Sequence, residues 1–299
     1  MTNHSAYFLA LGSAILFSGA SVIFTRFARS HSVVWISTVK NSIAFVAFFL
    51  SSLLLHVGNQ ESWSSVSGSS AIYFLGSGFF GLAVGDYFLF QGFRRIGSAR
   101  TLIVFSFAPL LLSLEGYVLF HQALTMTQFY ALLFMMACVW TISYEGFKKS
   151  GHWEWRGIVF AILGVTLDNV GVVMSRKGLD LSPDTNAITA NLIRSFAGMI
   201  PLLLAAAVMK EKVWARFRAL TVKDKFTATA AAFCGTYMSL TLWITALKIG
   251  HIGSLAGVGS FNPVAASIWE WILGKKRPTV YLIAALILFF SGFALLLTH

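Results

Sequence analysis

Long apolar runs separated by short polar breaks fill the whole chain, near residues 6 to 27, 33 to 57, 71 to 93, 99 to 120, 126 to 146, 156 to 176, 184 to 209, 227 to 247, 252 to 273 and 279 to 298. A helix needs about 20 apolar residues to cross roughly 30 Å of hydrocarbon. The pattern therefore predicts an all-α integral membrane protein with ten transmembrane helices. The polar stretch KKSGHWEW, residues 148–155, reads as a connector between a first five-helix unit, 1–147, and a second, 156–299. The first apolar run has no basic lead and is long enough to span, so it reads as a helix and not as a removable signal.

The two units repeat one another. A shift of 154 residues lays Lys40 on Arg194, Gly81 on Gly235, Pro109 on Pro263 and Leu124-Thr125 on Pro278-Thr279. In the first helix of each unit a shift of 150 pairs FSGASVIFTR, ending at Arg26, with LDNVGVVMSR, ending at Arg176, which implies a following loop four residues longer in the second unit. Five spans is an odd number, so the second unit enters the membrane from the opposite side and the repeat is inverted. That arrangement lets one midplane site face each side in turn.

Composition agrees with the membrane reading: 57% of the 299 residues are hydrophobic, 28 are Phe and only 11% are charged. The net charge of +11 is no sign of nucleic-acid binding in such a chain, because basic loop residues mark the cytoplasmic ends of spans and touch anionic lipid. Of the 22 Lys and Arg residues, 17 lie in loops after odd-numbered spans and three on the opposite side. The positive-inside rule then puts both termini outside the cytoplasm. Cys138 and Cys234 lie in apolar runs and read as packing residues. The seven His show no metal spacing and no phosphate-cradling loop is present, so no metal or cofactor is expected.

A basic residue early in the second helix of each unit, the pair FLFQGFRRIGSA and TLWITALKIGHIGS, and the pair SFAPLLLSLEGYVLF and SFNPVAASIWEWILG resemble the drug/metabolite transporter superfamily, in its EamA-type ten-helix branch. The resemblance spans nearly the whole chain. It implies export or exchange of a small metabolite, amino acids included, without naming a substrate. One departure stands out: the Gly-Glu-Arg that members carry at the end of a fourth helix is replaced by Phe120-His121-Gln122 and Gly274-Lys275-Lys276.

Charges inside spans are costly, so they are the first functional candidates. Lys40 and Arg194, at equivalent positions, flank a central cavity if the repeat is inverted, and suit a carboxylate or phosphate; alternatively each neutralises a nearby acid and locks helices together. Asp168, followed by Asn169, is the candidate for a coupling proton or a substrate amine, with a static salt bridge to Arg194 or Lys40 as the competing account. Asp86 matches Leu240 and so serves one unit only, while Glu115 and Glu270 read as snorkelling or loop-paired acids. Pro109 and Pro263 free carbonyls at bilayer depth, at matching places. Their neighbours Ser106, Phe107, Phe261 and Asn262, together with Trp243, complete the candidate binding set. The pairs Gly81/Gly85 and Gly253/Gly257 read as close packing within the chain more than as a dimer face.

These readings predict a secondary transporter, not an enzyme, carrying an amino-acid-like or carboxylate-bearing metabolite by alternating access. Its expected partners are the small-molecule substrate, protons or a counter-substrate, and membrane lipid, with no nucleic acid; the protein is a monomer or weak homodimer in a bacterial inner membrane. The alternative is an intramembrane enzyme acting on a lipid-linked substrate, and clustered polar motifs at one membrane face, its expected mark, are missing from the sequence. A channel calls for rings of like charge or a carbonyl filter loop, which are missing too.

Overall fold

A computed structural model describes residues 3–57, 65–105, 107–150, 154–273 and 278–298. The described residues contain helices and no strand. In the first half α1 (Asn3–Ser30) and α2 (Val33–Val57) are followed by α3 (Gly68–Ser77), which widens into a π-helical segment (Gly78–Gly85) and continues as α4 (Asp86–Ile96). Then come α5 (Ser98–Phe105), α6 (Ala108–Phe120) and α7 (Met126–Ser150). The second half holds α8 (Trp155–Leu181), α9 (Ala187–Val208), the short α10 (Val213–Ala219), α11 (Val222–Ala232), a second π-helical segment (Phe233–Met238) and α12 (Ser239–Ile249). It closes with α13 (Ile252–Gly259), α14 (Asn262–Ile272) and α15 (Val280–Leu297).

The repeat seen in the sequence sets where helices begin. Val33 and Ala187, Gly68 and Val222, Ser98 and Ile252, Ala108 and Asn262, and Met126 and Val280 each start a helix 154 residues apart. Equivalent hydroxyls do the capping. Ser67 and Thr221 accept from the backbone N–H three residues on, both at 3.1 Å, and Thr125 and Thr279 do the same, both at 3.3 Å. Such caps satisfy donors that a helix start leaves bare. The longer loop of the second half falls where expected: two residues part α1 from α2, against residues 182–186 between α8 and α9.

Against the ten spans expected, nine helical stretches among the described residues are long and apolar enough to cross a membrane. The remaining expected segment, 252–273, is α13 and α14 meeting at Ser260 and Phe261. Pro263 has no N–H to offer the carbonyl of Gly259 and its ring crowds that carbonyl, which favours a break at this point. Pro109 stands likewise in the first turn of α6. At the connector α7 runs to Ser150 and α8 starts at Trp155; residues 151–153 lie outside the described set, as do Gly274, Lys275 and Lys276. Helix α10 was not anticipated.

The halves interlock. α1 packs on α12 and α14 of the second half, α8 packs on α4 and the first π segment, and α2 pairs with α9 as α7 does with α15. The glycine pairs serve this intramolecular packing: a Cβ on Gly171 of α8 would stand 3.1 Å from the Gly81 Cα, and one on Gly85 would come 3.4 Å from the Asp168 nitrogen. Backbone contact at Gly81 and Gly85 is what brings Asp168 beside the first π segment. Apolar side chains such as Leu54, Leu204 and Ile287 point outward, where lipid takes the place of water.

Candidate functional site

Where α1, α2, α8 and α9 meet the two π segments they leave a cavity of 140 Å³. Lys40, Asp86, Asp168 and Arg194 all line it, with Asn169, Trp243 and Asn262. Seven of the ten residues singled out from the sequence thus share one space. Ser106 lies outside the described residues. The other two do not line the cavity. Phe107 is 45% exposed on the outer surface, and Phe261 is buried against Phe289, ring centroids 4.5 Å apart. Each stands just before the helix start that follows the break in its half, α6 and α14, and from there one side chain points to the outer surface and the other into the apolar core.

The four charges are arranged in two different ways. Lys40 sits early in α2 and its ammonium donates directly to the Asp86 carboxylate, with side chains only 5% and 10% exposed. The ammonium also lies 5.4 Å from the Phe90 ring centroid, a cation–π contact that shields it further. The neighbouring Asn41 amide donates to the Leu82 carbonyl at 3.0 Å, satisfying a backbone acceptor within the widened turn. Buried and mutually satisfied, this pair joins α2 to α4.

Arg194, the symmetry mate of Lys40, is held by neutral groups. Its Nε donates to Ser77 Oγ at 2.9 Å and its Nη1 to Asn191 Oδ1 at 2.7 Å. Ser77 Oγ in turn donates to the Gly171 carbonyl at 2.6 Å. Asn191 reaches across to the first turn of α12, just past the other π segment, donating to the Leu240 carbonyl at 3.0 Å. Among the described residues Arg194 has no ion pair, and Asp168 neither an ion pair nor a hydrogen bond. The two nevertheless lie within electrostatic reach of each other and of Asp86. The static salt bridge from Asp168 to Arg194 or Lys40 is absent from this conformation of the described residues.

Asn169 adds a further opening. It is 2% exposed, and both its Oδ1 and Nδ2 lack a hydrogen-bond partner among the described residues. Thr236, in the second π segment, lines the cavity with an unpartnered Oγ1. Buried polar atoms are nearly always paired, so a donor and acceptors left open around a cavity are suited to a ligand. Thr236, Ser77 and Asn191 escaped the sequence reading. Asn191 was findable, one helical turn before Arg194 on the same face; Thr236 carried no signal beyond following Gly235, the mate of Gly81.

Interlocked inverted halves, buried charges around one cavity and paired helix breaks define a multi-pass membrane protein of transporter architecture. The model of the EamA-like transporter family matches residues 4–144 and 155–298, one match on each half. The chain belongs to that family, a drug/metabolite-type transporter. Twenty-nine chains of solved structures match it. One, a crystal structure, has a TM-score of 0.75 over 98% of this chain and 96% of its own at 17% identity, a likeness of fold alone. No curated protein matches the sequence.

Proposed function

We propose that this transporter carries a small zwitterionic metabolite, amino-acid-like and carboxylate-bearing, with its carboxylate on Arg194 and its amine on Asp168. One observation carries the reading: two opposite charges line the same cavity, neither spent on the other nor on another ion among the described residues. Arg194 presents a fixed guanidinium to a carboxylate. Asn169 and Thr236 supply the remaining polar contacts, and Trp243 an apolar wall. At 140 Å³ the cavity falls below the roughly 300–1,000 Å³ of drug-sized sites, which favours a compact metabolite.

Asp168 also serves as the proton carrier. With both acids ionised the four groups sum to zero; a proton on Asp168 leaves the cavity cationic. Substrate amine and proton then compete for one carboxylate, so their movements are coupled, and the interlocked halves rock about the site to expose it alternately. The membrane is a bacterial inner membrane, with the basic helix ends in the cytoplasm and both termini outside. A reporter active only in the cytoplasm, fused after His299, stays silent on this topology, and strong activity overturns it.

The binding assignment is tested in proteoliposomes by counterflow of a mixed pool of amino acids and small organic acids, read by mass spectrometry. Arg194→Ala and Asp168→Asn each reduce exchange of the transported species. Unchanged rate and affinity in both variants would refute the site.

A further inference from the structure

A second pocket, 630 Å³, opens at the basic end of the bundle, lined by Arg29, Ser30, His31, Ser32, Arg94 and Arg216. The chain brings these together from three places: the end of α1 with the turn into α2, the last turn of α4, and α10. The acids at this end are already committed. Asp224 takes Arg26 at 2.9 Å, Glu154 takes Arg95 at 2.5 Å, and Glu211 takes Arg216. Arg29 and Arg94 make no ion pair among the described residues, although their sequence neighbours do. Two guanidiniums without counter-ions therefore face a pocket whose described lining contains no acidic side chain.

The walls are built. Trp35 Nε1 donates to the Val213 carbonyl at 3.0 Å, fixing the start of α10 against α2. His31 stacks on Trp35 at 4.4 Å, and its Nδ1 bonds Ser30 Oγ at 2.9 Å. Gly97 turns with φ 83°, a conformation that favours glycine, and a Cβ there would stand 3.3 Å from Arg29 Nη2. Large aromatics stand exposed on α10 and α11, Trp214 at 47% and Phe226 at 75%, and exposed aromatics of membrane proteins favour the headgroup level.

We propose that this pocket binds a phosphate group through Arg29 and Arg94, either that of an anionic lipid headgroup or free phosphate. Two planar guanidiniums match phosphate oxygens in fork geometry, and basic pockets at this depth suit lipid phosphates. Arg29 and Arg94 both belong to the first half and the α10 wall of the pocket to the second, so an occupant held by the two arginines also rests against the other half and stabilises this conformation.

Thermal unfolding of the purified protein in neutral detergent tests the site. Short-chain phosphatidylglycerol, at roughly ten times its dissociation constant, raises the midpoint by about 3–6 °C; phosphatidylcholine does not. The double variant Arg29→Gln/Arg94→Gln loses the shift while keeping its midpoint in chloride buffer. Arg218→Gln/Lys223→Gln, with the same change of charge on the same end, retains it. If inorganic phosphate at matched ionic strength reproduces the shift, the source is soluble; if only the lipid does, it is the headgroup. Retention of the shift without Arg29 and Arg94, equal loss in the control pair, or no shift in the wild type overturns the proposal.

Discussion

Lys40 and Arg194 occupy equivalent positions in the two halves, yet one is closed off and the other left open. In the first half the acid stands on α4, as Asp86, and meets the lysine directly. In the second half that position is Leu240, and the acid has moved to α8, as Asp168, whose own mate in the first half is Ser18. Ser18 is spent on the other half, donating to the Asn262 carbonyl at 2.9 Å and its Oδ1 at 3.2 Å. Two substitutions on a symmetric frame thus keep the charge count equal and change the geometry. The first pair becomes a bolt between helices, and the second a pair of separated poles facing a cavity.

Breaking the bolt gives the largest effect. Lys40→Met or Asp86→Leu alone leaves a buried charge without its partner and costs about 3–5 kcal/mol. The double variant recovers most of that loss, because two apolar side chains replace a pair that was expensive to bury. Unfolding midpoints of the three variants measure this. If the double variant is as unstable as the singles, the pair is not acting as a closed unit.

Making the second half imitate the first comes next. Leu240→Asp sets a carboxylate where Asp86 stands in the other half, and it captures Arg194. The protein remains folded, while substrate affinity falls about 10- to 100-fold, the loss expected for a charged hydrogen-bonding partner worth about 1.5–3 kcal/mol. Binding of the transported species to purified variant and wild type checks it; unchanged affinity would sever Arg194 from the substrate.

Asp168→Asn sharpens the role of the other pole. Exchange of the substrate continues at a reduced rate, about tenfold down, and no longer responds to an imposed pH gradient, since the carboxylate shared by proton and amine is gone. Counterflow with and without a gradient reads both effects, and a preserved gradient response places coupling elsewhere. The smallest effect belongs to Asn169→Leu, which removes two buried unpaired polar atoms. It stabilises the empty protein by on the order of 1 kcal/mol, read as a raised unfolding midpoint, while weakening binding. A fall in stability would mean that the amide has partners in the empty state.

The scaffold was largely legible in the sequence because it rests on signals the chain carries locally. Apolar length marked the spans and the shift of 154 marked the repeat, and Thr125 and Thr279, matched by that shift, cap equivalent helices in the structure. The broken segment around Ser260 was also foreshadowed by Pro263, although as a kink within one span and not as two helices. Site membership was readable for buried charges, which have few reasons to lie at bilayer depth. What stayed hidden was pairing. Nothing local distinguishes Asp86, which holds Lys40, from Asp168, which holds nothing among the described residues, because the difference arises from how α4 and α8 cross. The π segments were invisible for a related reason: Gly81 and Gly235 mark close approach, but the widened turns depend on the helices against them.

The central claim is that Asp168 and Arg194 bind substrate while Lys40 and Asp86 hold the fold. Its most direct test is proteoliposome counterflow with two double variants, Lys40→Met/Asp86→Leu and Asp168→Asn/Arg194→Gln, each matched to wild type for reconstituted protein and unfolding midpoint. The account predicts that the first retains exchange within about tenfold and that the second loses it although folded. Full exchange by the second variant, with a folded but inactive first, would contradict it.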